Sequence, residues 1–261
     1  MFGALAGLTT LLAAGASTST AGSQAAAGTL NLSAALNLAS ILGACPPGVS
    51  ASACAARTST GPFPGLGQVT GTYTFLADIG PPSCANGFGK TRAYPIRFAV
   101  ASKGEILFEL AAGVQCVNEE SDFAVRAQTQ TFTVSGGTGI YAGASGSGTV
   151  TRSLGTTSTG AAGKETWTGT LTVPGLDFDL TRPTLTAAVS KTVKVKKGAK
   201  TARVVFQVTA QDDRDGALPA TCAPRSGSRF EIGRTRVTCS ATDGSANTGS
   251  ASFTVTVRPR K

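Results

Sequence analysis

Residues 221–243, TCAPRSGSRFEIGRTRVTCSATD, contain a cysteine pair and two predicted strand segments joined by a tight turn. The turn at residues 226–228 relies on glycine, which adopts positive φ without a Cβ clash. Residues 237–241 alternate apolar and polar side chains, which is the period-two pattern of a half-buried strand. Cys222 and Cys239 are close enough in sequence to be bridged across adjacent strands. Closing such a loop contributes about 3 kcal/mol in the chain-entropy model.

The composition of the whole chain is typical of an all-β extracellular protein with many turns. The chain has 261 residues, of which 33 are glycine and only 14% are charged. It contains no histidine, which excludes Ser-His-Asp and Cys-His catalysis, a histidine general base and histidine metal sites. Carboxylate pairs and tyrosine acids stay open as catalytic groups. We expect a protein that is not an enzyme, with the question left open for the region 63–182, and we assign no catalytic residue, cofactor or metal ligand.

The positive charge is concentrated in the C-terminal part. From residue 183 onward there are fourteen Lys/Arg and five Asp/Glu residues, whereas the preceding part has nine of each. A surface with such an excess favours anionic partners.

The N-terminal residues 1–27 predict a secretory signal peptide. Residues 3–14 form a short apolar run, followed by small residues that suit a cleavage zone at 21–27. The run is too short for a transmembrane helix. It lacks the Lys/Arg residues that usually precede the apolar run of a signal peptide. We therefore expect a secreted or cell-surface protein whose six cysteines are oxidised.

Residues 28–62 predict an Ala/Ser-rich linker with a small disulfide loop. Cys45 and Cys54 flank a Pro-Pro-Gly turn and are expected to pair. Four leucines leave either a strand or a short helix open, namely Leu30, Leu32, Leu36 and Leu38. Residues 42–45 also match a bacterial lipoprotein cleavage box, so lipidation at Cys45 remains an alternative attachment.

Residues 63–182 predict an antiparallel β-domain. Apolar and polar residues alternate in about seven segments, including 69–77, 123–134 and 165–173, which are separated by Gly/Pro/Ser turns. This spacing is typical of a sandwich or a closed barrel. Cys84 lies in a predicted turn and Cys116 at the end of a strand, and we expect them to pair.

A glycine-rich segment at residues 136–148, GGTGIYAGASGSG, predicts a strand-to-strand connection. It has neither the Lys-Ser/Thr of a phosphate loop nor the spacing of a nucleophile elbow. It resembles the hairpin of the dirigent and allene oxide cyclase barrel-like superfamily, which implies an eight-stranded antiparallel barrel with an interior cavity. Ser145 stands where plant dirigent proteins usually carry Arg, so the resemblance implies the fold and no catalytic residue.

The resemblance implies an alternative function, in which the barrel binds or isomerises a small apolar ligand in its lumen. Such a site would be a mostly apolar cavity with a few polar groups. The candidate lining residues are Tyr73, Tyr141, Glu105, Glu109 and Asp122. Core packing of the tyrosines and solvent exposure of the carboxylates are the favoured alternatives.

Residues 191–200, KTVKVKKGAK, predict a strand with one basic face. No aromatic residue is interleaved with the lysines, so we expect no nucleic-acid binding. An exported protein is better matched to an anionic glycan or a cell-wall polymer, although a charged edge that blocks strand pairing is an alternative. The candidate binding residues are Lys191, Lys194, Lys196, Lys197 and Lys200.

The region from 183 to 261 carries a set of short motifs in a fixed order. They are DDRDG at 212–216, TCAP at 221–224, SGSRF at 226–230, VTC at 237–239, ATD at 241–243, Asn247 and FTVTV at 253–257. Together they resemble a hyalin repeat (HYR) domain. The resemblance implies an immunoglobulin-like β-sandwich on an extracellular protein, often linked to adhesion. Ala251 stands where some members have a third cysteine, which supports the pairing of Cys222 with Cys239.

One loop in this region, residues 213–216, looks like half of a calcium-binding loop. An EF-hand would need acidic residues where this chain has Gln211 and Cys222, so the sequence assigns no metal here. The leading functional hypothesis is a bacterial, secreted or surface-attached, non-catalytic protein that binds an extracellular matrix or glycan through its basic HYR module.

Overall fold

The computed structural model of the chain describes residues 28–51, 53–78, 87–118, 124–158, 160–187 and 190–260. The predicted signal peptide, Cys84 and Asp122 lie outside these ranges, and so does the predicted Cys84–Cys116 disulfide. Among the described residues, no helix is long and apolar enough to cross a membrane.

The first half of the described chain is almost entirely β-structure. Its elements are β1 (Gly28–Gly43), β2 (Ala53–Phe63), β3 (Gly67–Asp78), β4 (Gly87–Thr91), β5 (Tyr94–Val100), β6 (Gly104–Leu110), β7 (Gly113–Asn118), β8 (Ala124–Gly137), a 3-10 helix (Gly139–Tyr141), β9 (Ser145–Thr157) and β10 (Gly160–Val173).

Eight of these described strands close into an antiparallel barrel, so the barrel is the correct one of the two predicted alternatives, a sandwich or a closed barrel. The order around the ring is β2-β1-β10-β9-β8-β6-β5-β3, and β3 pairs with β2 to close it. Strands β4 and β7 pair with each other and join the ends of β3 and β8. We call the end of the barrel where β1 begins the junction end, because the C-terminal module follows from it, and the opposite end the far end.

The predicted linker at residues 28–62 is wrong, because β1 and β2 are two strands of the barrel. In β1, every second residue from Leu30 to Leu38 is buried in the lumen, so the strand option for these leucines is the correct one. The small Ala, Ser and Asn side chains between them form the outer face of the strand and do not mark a flexible linker. The predicted disulfide links Cys45, in the connection between the two strands, to Cys54 at the start of β2.

The junction half of the lumen is filled by aromatic side chains. The ring of Trp167 lies 4.8 Å from that of Phe98 and 5.1 Å from those of Phe108 and Phe132, measured between centroids. All four side chains are buried. Gly71 lies directly across from Phe98 in the β3–β5 pairing, and a Cβ there would collide with the Phe98 ring. The absent side chain therefore makes room for this aromatic core.

The glycine-rich segment connects β8 to β9, as predicted. Gly139 has a φ of +60°, and its Cα lies so close to the backbone of Lys103 that a side chain would clash. The turn inserts the buried Tyr141 under the junction end of the barrel.

The C-terminal part contains smaller sheets. Its strands are β11 (Thr184–Thr186), β12 (Lys191–Val195), β13 (Thr201–Arg203), β14 (Thr209–Asp212), β15 (Gly216–Leu218), β16 (Thr221–Ala223), β17 (Arg229–Glu231), β18 (Gly233–Thr242) and β19 (Thr248–Pro259). In the described chain they form the sheets β11-β14-β15, β12-β19-β18-β16 and β13-β17.

These sheets enclose a second apolar core around Val204, Phe230 and Val255. This arrangement is the β-sandwich expected for the second domain. Cys222 and Cys239 are directly opposite each other in the β16–β18 pairing and form the predicted disulfide.

Candidate functional site

The half of the lumen toward the far end is polar. Six side chains converge there, one from each of six barrel strands, and we call them the lumen cluster: Arg57, Tyr73, Tyr94, Gln130, Arg152 and Glu165. All six are buried. Each occupies an inward position of the alternating strand pattern, so the closed ring directs them toward one another.

The centre of the lumen cluster is an ion pair between neighbouring strands. Arg152 on β9 and Glu165 on β10 are in register, and Arg152 Nε lies 3.1 Å from Glu165 Oε2. Both side chains are 0% exposed. The other carboxylate oxygen of Glu165 accepts a hydrogen bond from Trp167 Nε1 at 2.9 Å, and Oε2 also accepts one from the Tyr73 hydroxyl at 3.4 Å. Glu165 is therefore fully engaged as an acceptor.

Gln130 is the second hydrogen-bond partner of the Arg152 guanidinium. Its Oε1 accepts hydrogen bonds from Arg152 Nη1 at 2.6 Å and from the Tyr94 hydroxyl at 3.2 Å. Its Nε2 donates to the carbonyl oxygen of Ala111 at 2.7 Å. These contacts set the orientation of the amide and hold one face of the Arg152 guanidinium.

Arg57 is the second buried cation of the lumen cluster. Its Nε donates to the Ser40 hydroxyl at 3.2 Å, and its guanidinium lies 3.6 Å from the centroid of the Phe75 ring. This cation–π contact stabilises the charge only in part. Burial lowers the pKa of Arg57, an effect that nearby Tyr73 and Tyr94 oppose.

The described part of the lumen cluster contains more positive than negative charge. Two guanidinium groups face one carboxylate, and the tyrosines do not correct the balance, because burial raises the pKa of Tyr73 to about 12. Arg57 Nη1 and Arg152 Nη2 are buried, and neither has a hydrogen-bond partner among the described residues. Buried donors of this kind are costly unless they are satisfied. The arrangement can therefore bind an anion that accepts hydrogen bonds from guanidinium groups.

The lumen is more polar than the mostly apolar cavity that the barrel resemblance implies. Of the predicted lining residues, Tyr73 belongs to the lumen cluster and Tyr141 packs at the junction end. Glu105 instead pairs with Arg97 on the surface, with Arg97 Nη1 3.4 Å from Glu105 Oε2, and Glu109 is exposed. Asp122 is outside the described ranges.

The sequence did contain a signal for the residues that were missed. Arg152 shares its strand face with Val150 and Leu154, and Glu165 shares its face with Trp167. A charged residue at an inward position of an otherwise apolar face is a sign of a buried polar group. The sequence does not predict these residues as a site, because the alternation along a strand shows on which face a residue lies but not which side chains it meets across the barrel.

The predicted basic residues are all on the surface, but they do not share one face. Lys194 lies on the outer side of β12, whereas Lys191 has the same alternation phase as Val195 and donates through Nζ to the carbonyl oxygen of Val205 at 2.9 Å. The parallel pairing of β12 with β19 places Arg258 next to Lys194. Sequence reasoning missed this arginine because it is far away along the chain.

The comparisons with known proteins give one match. The family model described as the HYR domain matches residues 178–257, which begins five residues before the predicted boundary at 183 and so includes Asp179. Neither the curated proteins nor the solved structures gave a match, so the resemblance of the barrel to the dirigent and allene oxide cyclase superfamily has no support beyond a compatible strand number. The C-terminal 178–257 region is thus matched by the HYR domain family, as its motifs indicated.

Proposed function

We propose that this chain is an extracellular, non-catalytic binding protein of adhesion type, whose barrel holds a small organic anion. The HYR match and the Cys45–Cys54 and Cys222–Cys239 disulfides are consistent with an extracellular location. The observation that carries the barrel assignment is the excess of buried guanidinium groups in the lumen cluster, with Arg57 Nη1 and Arg152 Nη2 lacking partners among the described residues.

The chemistry of the lumen favours a monocarboxylate. One carboxylate would neutralise the single excess positive charge and accept hydrogen bonds from both arginines, which match its planar geometry. Phe75, Ala55 and Ala77 are buried on the side of the cluster toward the far end, so the body of a bound carboxylate would contact apolar side chains there. The aromatic core around Trp167 fills the opposite side and limits the size of the ligand.

The test is binding of benzoate, with benzamide as the neutral analogue of the same shape. We expect benzoate to bind saturably and to raise the unfolding temperature of the full chain, and benzamide to do neither. Arg57→Met should weaken benzoate binding by at least about tenfold, because it removes one charged hydrogen-bond donor. It should leave stability unchanged or higher, because an unpaired buried charge is replaced by an apolar side chain.

The matched control for that variant is Arg97→Met, which removes a surface arginine and should leave benzoate binding unchanged. Equal affinity of wild type and Arg57→Met would contradict the lumen site. So would a carboxylate series, from acetate to phenylacetate, in which no member binds.

A second candidate function is adhesion to an anionic glycan or cell-wall polymer through the HYR domain. It is favoured by the register of β12 and β19, which places Arg258 beside Lys194. It is also favoured by the backbone hydrogen bond from Arg260 N to Val195 O at 2.8 Å, which holds the C-terminal arginines beside the lysines. This basic edge is exposed and would act by salt-dependent electrostatic contact.

Reversing two charges tests this surface. The double variant Lys194→Glu, Lys196→Glu should elute from an immobilised anionic polysaccharide at clearly lower salt than wild type, because two attractive contacts become repulsive. The matched control is Lys164→Glu on the outer face of the barrel, which should shift elution much less. Identical elution of the double variant and the Lys164 control would reject the basic edge as the binding surface.

A further inference from the structure

Three aspartates from separate parts of the chain meet where the barrel joins the HYR domain. Asp179 lies in the segment that follows β10, Asp212 is the last residue of β14, and Asp243 directly follows β18. One carboxylate oxygen from each lies within 4.8 Å of the others, and all three side chains are buried. Three buried carboxylates at this distance repel one another strongly unless a cation lies among them.

The hydrogen bonds of the cluster hold the carboxylates in place without neutralising them. Asp212 Oδ1 accepts from the backbone N–H groups of Arg214 and Asp215, both at 3.0 Å. Asp243 Oδ1 accepts from the N–H groups of Ser245 and Asn247, both at 2.8 Å. These donors are neutral amides, so they orient the carboxylates without bringing a positive charge to them.

One buried carboxylate oxygen of the cluster has no hydrogen-bond partner among the described residues. Asp212 is 3% exposed, and its Oδ2 accepts no hydrogen bond from any residue that the structure describes. The nearest cation is Arg214, whose Nε is 4.0 Å from Asp179 Oδ1. Its Nη2 is instead committed to Asp177 at 2.6 Å on the surface. A buried carboxylate oxygen without a donor is an open ligand position for a cation.

From this geometry we propose that Asp179, Asp212 and Asp243 bind one Ca²⁺ ion. The donor set consists of carboxylate oxygens, which suits a hard cation. Ca²⁺ accepts oxygen ligands in flexible geometry, whereas Mg²⁺ demands near-ideal octahedral geometry and usually keeps several waters, so a buried set of carboxylates drawn from three separate segments favours Ca²⁺. The acidic loop singled out in the sequence, residues 213–216, directly follows Asp212, and its own Asp213 is exposed.

The ion would fasten the two domains together. The loop that carries Asp243 contacts the junction end of the barrel, where Gly65 N donates to Ser245 O at 2.8 Å. Lys103 Nζ bridges the same contact, donating to Leu66 O at 2.8 Å and to Gly244 O at 3.4 Å. Since Asp179 belongs to the segment leaving the barrel, one ion would hold that segment against both HYR loops.

The test uses the full chain after removal of divalent ions with EDTA. Titration with Ca²⁺ should show one site per chain and a rise in unfolding temperature, with weaker effects of Mg²⁺ at the same concentration. Asp212→Asn should weaken Ca²⁺ binding by at least about tenfold. It keeps an Oδ1 that can accept the same two backbone hydrogen bonds, so the fold should survive. Asp213→Asn is the matched control and should bind as wild type does.

A second readout addresses the domain contact. Hydrogen exchange at residues 178–183 and 243–247 should slow on addition of Ca²⁺ in wild type and in Asp213→Asn, but not in Asp212→Asn. Should Asp212→Asn fail to fold, Asp179→Asn takes its place with the same expectation. Equal Ca²⁺ affinity in wild type and the cluster variant, or no Ca²⁺ binding by the wild-type chain, would overturn the proposal.

Discussion

Glu165→Gln should lower the free energy of unfolding of the barrel by about 3–5 kcal/mol, because it leaves Arg152 buried without its carboxylate. Both side chains are 0% exposed, and Glu165 is the only carboxylate among the described members of the lumen cluster. Trp167 is the only tryptophan of the chain, so its fluorescence during denaturant unfolding reports on the barrel alone.

Two comparisons make this expectation specific. Glu105→Gln removes the partner of an exposed arginine and should cost less than about 1 kcal/mol. Replacing both members of the buried pair, by Arg152→Met with Glu165→Leu, should recover much of the lost stability, since no unpaired charge then remains between them. A Glu165→Gln variant as stable as Glu105→Gln would show that Arg152 does not depend on this carboxylate.

Trp167→Ala should destabilise the barrel by about 3–5 kcal/mol, because it removes the side chain around which the junction half of the lumen is packed. Three phenylalanine rings lie within 5.1 Å of the Trp167 ring, and their contacts cannot be replaced by a methyl group. Since the fluorescence probe is lost, the measurement is calorimetry of the two-domain chain. The barrel transition should move to a lower temperature, while the HYR transition should stay in place.

Trp167→Phe is the conservative comparison, and it should cost clearly less because an aromatic ring remains in the cavity. It also removes the hydrogen bond from Trp167 Nε1 to Glu165, so it does not restore full stability. A Trp167→Ala variant with an unchanged barrel transition would contradict the view that this aromatic core holds the ring of strands closed.

The alternation of side chains was enough to predict most of the fold. Long segments such as β3 and β10 show a clear period of two, and the motifs of the HYR region identified the second domain and its disulfide. The first strand is wrongly predicted as a linker, because the Ala, Ser and Asn residues on the outer face of β1 are also typical of linkers. Only its pairing with β10, more than a hundred residues further along the chain, gives these residues a strand role.

The candidate sites could be predicted less well, for a related reason. The lumen cluster draws its members from six strands and the aspartate cluster from three separate segments, and nothing local marks Arg57 and Arg152 as neighbours. The loop at 213–216 was noticed for its acidic residues, yet the carboxylate that turns inward is Asp212, just before it. Which acidic side chain points inward depends on the backbone geometry of the loop, which the residue types alone do not predict.

The pairing of β1 with β10 also governs the order in which this domain can assemble. Gly28 faces Val173 and Ile41 faces Gly160, so the first described strand of the barrel pairs with the last one, β10. Contacts so distant along the chain form slowly. A growing polypeptide therefore cannot close the ring of strands until β10 has been synthesised.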